Sequence, residues 1–152
     1  MARWDKDDGP SIPDWFFEAI ETEYSTHTVE VDECDVVYQK WGGDASAGKP
    51  GLLFIHGMFA HSHWWDFIAP AFMDDYTVAA MNLTGMGDSD YRYEYDSTTF
   101  AEEIVAVCDD AGFGPDVIVV AHSFGGAMAV KAVNLFPDRF GGLILVDSGI
   151  RN

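Results

Sequence analysis

The sequence predicts an α/β protein, a mostly parallel sheet with an N-terminal β-hairpin and crossover helices on both faces. Three observations carry this reading. Short, continuous apolar runs alternate with stretches of helical periodicity, the pattern of βαβ crossovers around strands buried on both sides. Two strand-like runs separated only by Asp32-Glu33 precede them. Further on, Ser123 sits between small residues where an apolar run gives way to a helix-like one.

Residues 12–20 form a short amphipathic helix by pattern, with Pro13 near its first turn. Residues 26–31 and 35–41 are the two hairpin strands, and 42–50 is a loop rich in Gly, Ala and Ser. The first buried strand is 51–55, followed by a helix-like stretch over 61–73 and a second buried strand over 77–81. A helix over 98–111 places Phe100, Ile104, Val107 and Ala111 on one face. A third strand over 117–121, a helix over 124–135 and a fourth strand over 143–146 complete the series. The pattern contains no internal repeat or low-complexity tract, so 1–152 reads as a single, partial domain. Its last strand has the apolar character of a central one, and at a sheet edge such a strand invites pairing with another chain.

Composition narrows the function classes. With 48% hydrophobic residues the chain can bury a substantial core. A formal charge of −18 repels nucleic acid and anionic membranes, so neither is an expected partner. The acidic surface suits a saline habitat and an ordinary acidic bacterial protein nearly equally. No apolar run approaches the roughly 20 residues needed to cross a bilayer, and the first residues lack a signal-peptide core. The expected location is cytoplasmic. Cys34 and Cys108 are far apart with no companions at metal-ligand spacing, and they read as small hydrophobes with no metal implied. The pairs Asp74-Asp75 and Asp109-Asp110 read as solvated helix ends.

The chemistry gathers at the carboxyl ends of the buried strands, where ligands bind in doubly wound sheets. His56-Gly57-Met58-Phe59 follows the first, Leu83-Thr84-Gly85-Met86-Gly87-Asp88-Ser89 the second, and His122-Ser123-Phe124-Gly125-Gly126 the third. At the third, Ala121 and Gly125 flank Ser123 at two residues on either side, which permits a tight strand–helix turn. Gly85-Met86-Gly87 lacks the third glycine and the lysine of phosphate-binding loops, so no nucleotide site is expected. Met58, Phe59, Trp64 and Trp65 divide between helix core and a substrate pocket.

In this order and spacing the motifs resemble the α/β-hydrolase fold family, from the hairpin through the HG turn and the G-x-G-x-S loop to the serine elbow and Asp147. Ala121 replaces the first glycine of G-x-S-x-G, and Asn82 stands where many members carry an acid. The resemblance implies a serine hydrolase acting on a small ester-like molecule, without cofactor, through an acyl-enzyme. Ser123 would be the nucleophile, and the backbone N–H groups of Met58 and Phe124 the oxyanion hole. His56, Gly57, His122, Gly125 and Gly126 would support the elbow and its loops.

One departure is large. Members of the family are commonly about twice this length and carry a lid, then strands bearing the acid and histidine, in the order Ser, Asp/Glu, His. The residues after Ser123 include Asp138 and Asp147 but no histidine. Asp147 is a candidate acid, because a minority of the family places its acid there. The sequence thus resembles the N-terminal half of such an enzyme, lacking lid and C-terminal strands. Three readings follow: an enzyme that needs its other half, a non-catalytic fragment or half-domain whose open edge a second polypeptide or second copy covers, or a split enzyme in which a second polypeptide supplies the lid, acid and histidine.

Overall fold

A computed structural model describes residues 12–43 and 47–149. Helix α1 (Asp14–Ile20) leads into strands β1 (Tyr24–Val31) and β2 (Cys34–Trp41). Then follow β3 (Gly51–Ile55), β4 (Thr77–Met81), α2 (Ser97–Asp110), β5 (Ile118–His122), α3 (Phe124–Leu135) and β6 (Gly142–Val146). Among the described residues they build one six-stranded sheet in the order β1-β2-β4-β3-β5-β6. β1 pairs antiparallel with β2 and β2 with β4, while β4, β3, β5 and β6 run parallel. Asp32 and Glu33 both take positive φ (48° and 60°), the twist that a two-residue hairpin requires.

Alternation along the strands divides two apolar layers. Leu53, Ile55, Ala79, Met81, Val119 and Ala121 face α2 and α3, meeting Phe100, Ile104, Val107, Ala129 and Ala132. Leu52, Phe54, Val78 and Ala80 face the other way onto Trp41, Trp65 and Ala69. The β3–β4 connection therefore crosses one face, and α2 and α3 cross the other. The chain leaves β3 and β5, which are neighbours, toward opposite faces, and this opens a crevice beyond their carboxyl ends.

The stretch over 61–73, expected as a helix, instead forms two 3₁₀ segments, Ser62–Trp65 and Ala69–Phe72. Pro70 supplies no N–H and disfavours helical geometry in the residue before it, so the apolar spacing there never propagates. At the far edge β6 pairs with β5 and, among the described residues, with no other strand; Ile144 and Val146 are 52% and 40% exposed. No helix among the described residues is long and apolar enough to cross a membrane.

One buried ion pair ties the upper loops together. Arg92 Nε donates to Glu103 Oε1 over 3.0 Å, with 6% of the arginine side chain and none of the glutamate exposed. Glu103 also accepts the Thr84 N–H (3.0 Å) and the Thr84 hydroxyl, while the remaining Arg92 nitrogens bond the carbonyls of Val31 and Asp32. The pair thus fastens the hairpin turn and the loop after β4 onto α2. Removing one partner strands a buried charge, which costs about 3–5 kcal/mol, whereas apolar replacement of both costs much less. Urea unfolding of Glu103→Ala should show a loss of that size, with a smaller loss in Arg92→Met/Glu103→Leu. A loss below about 1 kcal/mol in the single variant would place the pair among weak surface bridges.

Candidate active site

The site begins where β5 stops. Ser123 is the N-cap of α3 and takes φ 49°, ψ −114°, a conformation costing a non-glycine residue about 1–3 kcal/mol. Its N–H is fixed to the Val146 carbonyl of β6 at 3.0 Å. A serine at an N-cap ordinarily turns its hydroxyl back onto the first helical N–H groups. Ser123 does not: its side chain makes no cap bond and lies exposed. Asp96 shows the ordinary arrangement at α2, accepting the N–H groups of Thr98 (2.7 Å) and Thr99 (3.0 Å) and the Thr99 hydroxyl. Those bonds, led by the one from the Thr99 backbone, hold its carboxyl below the ordinary range.

Small residues make the turn possible. Ala121 is fully buried beneath it. A Cβ on Gly125 would collide with the His56 carbonyl oxygen, and one on Gly126 with the Ser148 hydroxyl. Gly57 lies against the elbow from the β3 side, where a Cβ would come within 3.3 Å of Ser123 Cβ and 2.8 Å of His122 Nδ1. Beyond Gly57 the chain turns sharply: Ala60 N–H bonds the Gly57 carbonyl at 3.2 Å and Phe59 takes φ 58°. The N–H groups of Met58, in this turn, and of Phe124, the first residue of α3, have no acceptor among the described residues.

His56 is wholly buried and serves the scaffold. Its Nδ1 donates to the Gly57 carbonyl (2.7 Å), so Nε2 accepts the Leu83 N–H (3.1 Å) and joins the loops after β3 and β4. Burial, above all, pushes its pKa below the ordinary histidine value. Asn82 fastens the same loops: Oδ1 accepts the Ser62 N–H (2.7 Å), Nδ2 donates to Val37 O (3.3 Å), and its carbonyl accepts the Ser89 hydroxyl (2.7 Å).

No histidine hydrogen-bonds Ser123 among the described residues. His122 stacks on Trp64 (centroids 6.0 Å apart, 10° between planes), its Nδ1 buried without a partner among the described residues. His63 lies between Asp66 (2.7 Å) and Gln39 (3.1 Å), and His27 stacks on Tyr38. His61 is exposed beside Gly87. Asp147, just past β6, is exposed with φ 48° and bonds no histidine.

Beside the elbow, over α2 and α3, lies a cavity of about 520 Å³, walled by Met58, Phe59, Met86, Phe100, Phe124 and Met128 among others. Of the large apolar residues noted in the sequence, Met58 and Phe59 thus reach a pocket together with residues of two helices, whereas Trp65 is core and Trp64 covers His122. Among the described residues no three His, Cys, Asp or Glu side chains gather in a way that could hold a metal ion. Cys108 is buried and its thiol is pushed up to about 12 by that burial. Cys34 is only half-buried.

Residues 50–152 match the α/β hydrolase fold family. The chain belongs to it. Among α/β hydrolases, the lipase LipV of Mycobacterium tuberculosis is 32% identical over 116 residues, covering 76% of this chain and 42% of that protein. An esterase of the same bacterium is 31% identical over 110 residues, covering 71% of this chain and 35% of its own length. In three dimensions, a bacterial membrane phospholipase A superposes with a TM-score of 0.73 at 30% identity, over 83% of this chain and 40% of that one. The chain thus spans less than half the length of these relatives.

Two features of the site's surroundings are not apparent from the sequence. The Arg92–Glu103 pair had a visible signal, since Glu103 shares the apolar face of α2 with Phe100 and Val107. The roles of Asn82 and His56 in fastening the loops had none, because both depend on which loops meet.

The neutral, buried His56 gives a pH dependence. Its folded pKa lies below the unfolded value near 6.5, so its contribution to stability is fully present above about pH 6.5. It falls as the pH drops toward the folded value, because the unfolded chain binds the proton first. Urea midpoints at pH 7.5 and 5.5 should therefore fall more in the parent than in His56→Gln, a window that most carboxylates do not enter. Equal falls would remove His56 as the cause.

Proposed function

We propose that this chain forms the nucleophile-bearing part of a serine hydrolase acting on carboxylic esters. The observation that carries the reading is the uncapped N-cap: Ser123 occupies a strained, positive-φ position and leaves its hydroxyl exposed and unbonded. A structural serine at that place would be worth more as a cap. The names of the related lipase and esterase agree with ester chemistry.

In this reading Ser123 Oγ attacks the ester carbonyl as its proton passes to a base. The carbonyl oxygen takes the negative charge and is held by the N–H groups of Met58 and Phe124, aided by the N-terminus of α3. The tetrahedral intermediate collapses, the C–O bond to the alcohol breaks, and the alcohol leaves with the proton from the base. Water then attacks the acyl-enzyme, releases the acid and restores the Ser123 hydroxyl. No histidine among the described residues hydrogen-bonds Ser123, so in this reading the base comes from polypeptide outside these 152 residues. We read 1–152 as one partial domain whose open β6 edge receives that polypeptide. Asp147 and a base supplied across β6 would stand on the same side of Ser123.

The test is covalent labelling of the chain by a fluorophosphonate, with and without imidazole as an external base. The modification should map to Ser123, accelerate with imidazole and vanish in Ser123→Ala. Removing a triad member leaves a residual catalysis of roughly 10³–10⁴ over water, so activated esters should turn over slowly without added base. Labelling that persists in Ser123→Ala, or that avoids Ser123, would end the reading.

A further inference from the structure

The turn after β3 carries a reactive group that the proposed reaction does not use. Met58 is 48% exposed, whereas Met81 and Met86 are 0% and 8% exposed and Met73 and Met128 are half-buried. The backbone accounts for the difference: the Ala60 N–H closes onto the Gly57 carbonyl and Phe59 takes a positive φ, so the chain reverses with Met58 on its outer side. Oxidation of methionine follows exposure, so Met58 is the thioether most open to attack among the described residues. A hydroperoxide is uncharged, and the formal charge of −18 does not keep it away.

Oxidation at this place would change what the neighbouring donors do. A thioether is a weak acceptor, but a sulfoxide oxygen is a strong one, carried on a side chain with three rotatable bonds. The cavity that Met58 lines is walled by Phe59, Met86, Phe100, Phe124 and Met128 among others, and a polar group left unpaired among apolar ones is costly. Two donors at the elbow lack an acceptor among the described residues, the N–H groups of Phe124 and of Met58 itself. Phe124 belongs to the same cavity wall. Gly57, the residue before Met58, packs so closely on the elbow that a Cβ there would lie 3.3 Å from that of Ser123. The N-terminus of α3 further favours the partial negative charge of the sulfoxide oxygen.

We infer that Met58 is an oxidation site, converted by hydroperoxides to the sulfoxide, whose oxygen then takes up the Phe124 N–H and silences Ser123. In the step, a sulfur lone pair attacks one peroxide oxygen, the S–O bond forms and the O–O bond breaks. Sulfur gives up the two electrons that the peroxide gains, and with hydrogen peroxide the other product is water. A thiol-dependent methionine sulfoxide reductase reverses the change. The loss of reactivity rests on the proposed function; the oxidation and the new hydrogen bond do not.

The experiment treats the 152-residue chain with hydrogen peroxide. It follows each methionine by peptide mass spectrometry, the Phe124 amide by ¹H–¹⁵N NMR, and Ser123 by fluorophosphonate labelling with imidazole. Met58 should gain oxygen about tenfold faster than Met81 or Met86. The Phe124 amide proton should move downfield in step, in the parent and in Ser123→Ala alike. Labelling should slow by about 10²–10³, the cost of losing an oxyanion-hole donor. The reductase should restore the rate, and dithiothreitol alone should not. Met58→Leu, whatever its starting rate, should keep that rate through the treatment. Oxidation that begins at another methionine, a Phe124 signal that stays still, or labelling that survives full oxidation of Met58 would overturn the inference. So would a loss that persists in Met58→Leu, or one that dithiothreitol alone reverses, which would assign it to the half-buried thiol of Cys34. A Phe124 shift in a chain that never labels, even untreated, would overturn the nucleophile reading alone.

Discussion

The approach of α3 to the loop after β3 is the contact on which the site depends. The His56 carbonyl oxygen lies where a side chain at position 125 would begin, so the first turn of the helix can pack there only as glycine. That contact draws the elbow against the sheet and forces the reversal between β5 and α3 into a single residue. Ser123 absorbs it with a positive φ. The same reversal turns the hydroxyl outward and away from the helix end it would otherwise cap. Strain and exposure of Ser123 are therefore two results of one packing constraint.

Holding that constraint requires rigid loops, and the structure supplies them with buried polar groups. His56 binds the loop after β4, Asn82 joins that loop to Ser62 and to β2, and Arg92–Glu103 fastens it to the hairpin and α2. Every one of these groups is satisfied on both sides, as buried polar networks must be if they are to stiffen a structure. Among the described residues nothing comparable braces the β6 edge, where apolar side chains remain exposed. The chain is thus rigid around the nucleophile position and open where the proposed base would enter.

Much of this was legible in the sequence. The strands over 51–55 and 77–81 and the helix over 124–135 fall on the residues expected, because continuous apolar runs and an unbroken helical period admit little alternative. The three loops at the carboxyl ends of β3, β4 and β5 also come together as their order implied. The stretch over 61–73 departs from its helical spacing because Pro70 stops that spacing from propagating. The cavity is only half visible in the sequence: Met58 and Phe59 stand out there, but Phe100 and Met128 look like core residues of α2 and α3. One apolar helix face serves both purposes, and only the packing of the helices shows where the core ends and the cavity begins.

The site depends most directly on Ser123 being held in a conformation it would not choose. Replacing it by glycine or by alanine removes the hydroxyl in both cases, but only glycine adopts positive φ without strain. The relief of about 1–3 kcal/mol outweighs the roughly 0.5–1 kcal/mol that glycine loses in chain entropy. Urea unfolding of the two variants decides the matter. Ser123→Gly should be more stable than Ser123→Ala by about 1 kcal/mol. Equal stabilities, or the reverse order, would mean that the elbow is relaxed and that the exposed hydroxyl needs another explanation.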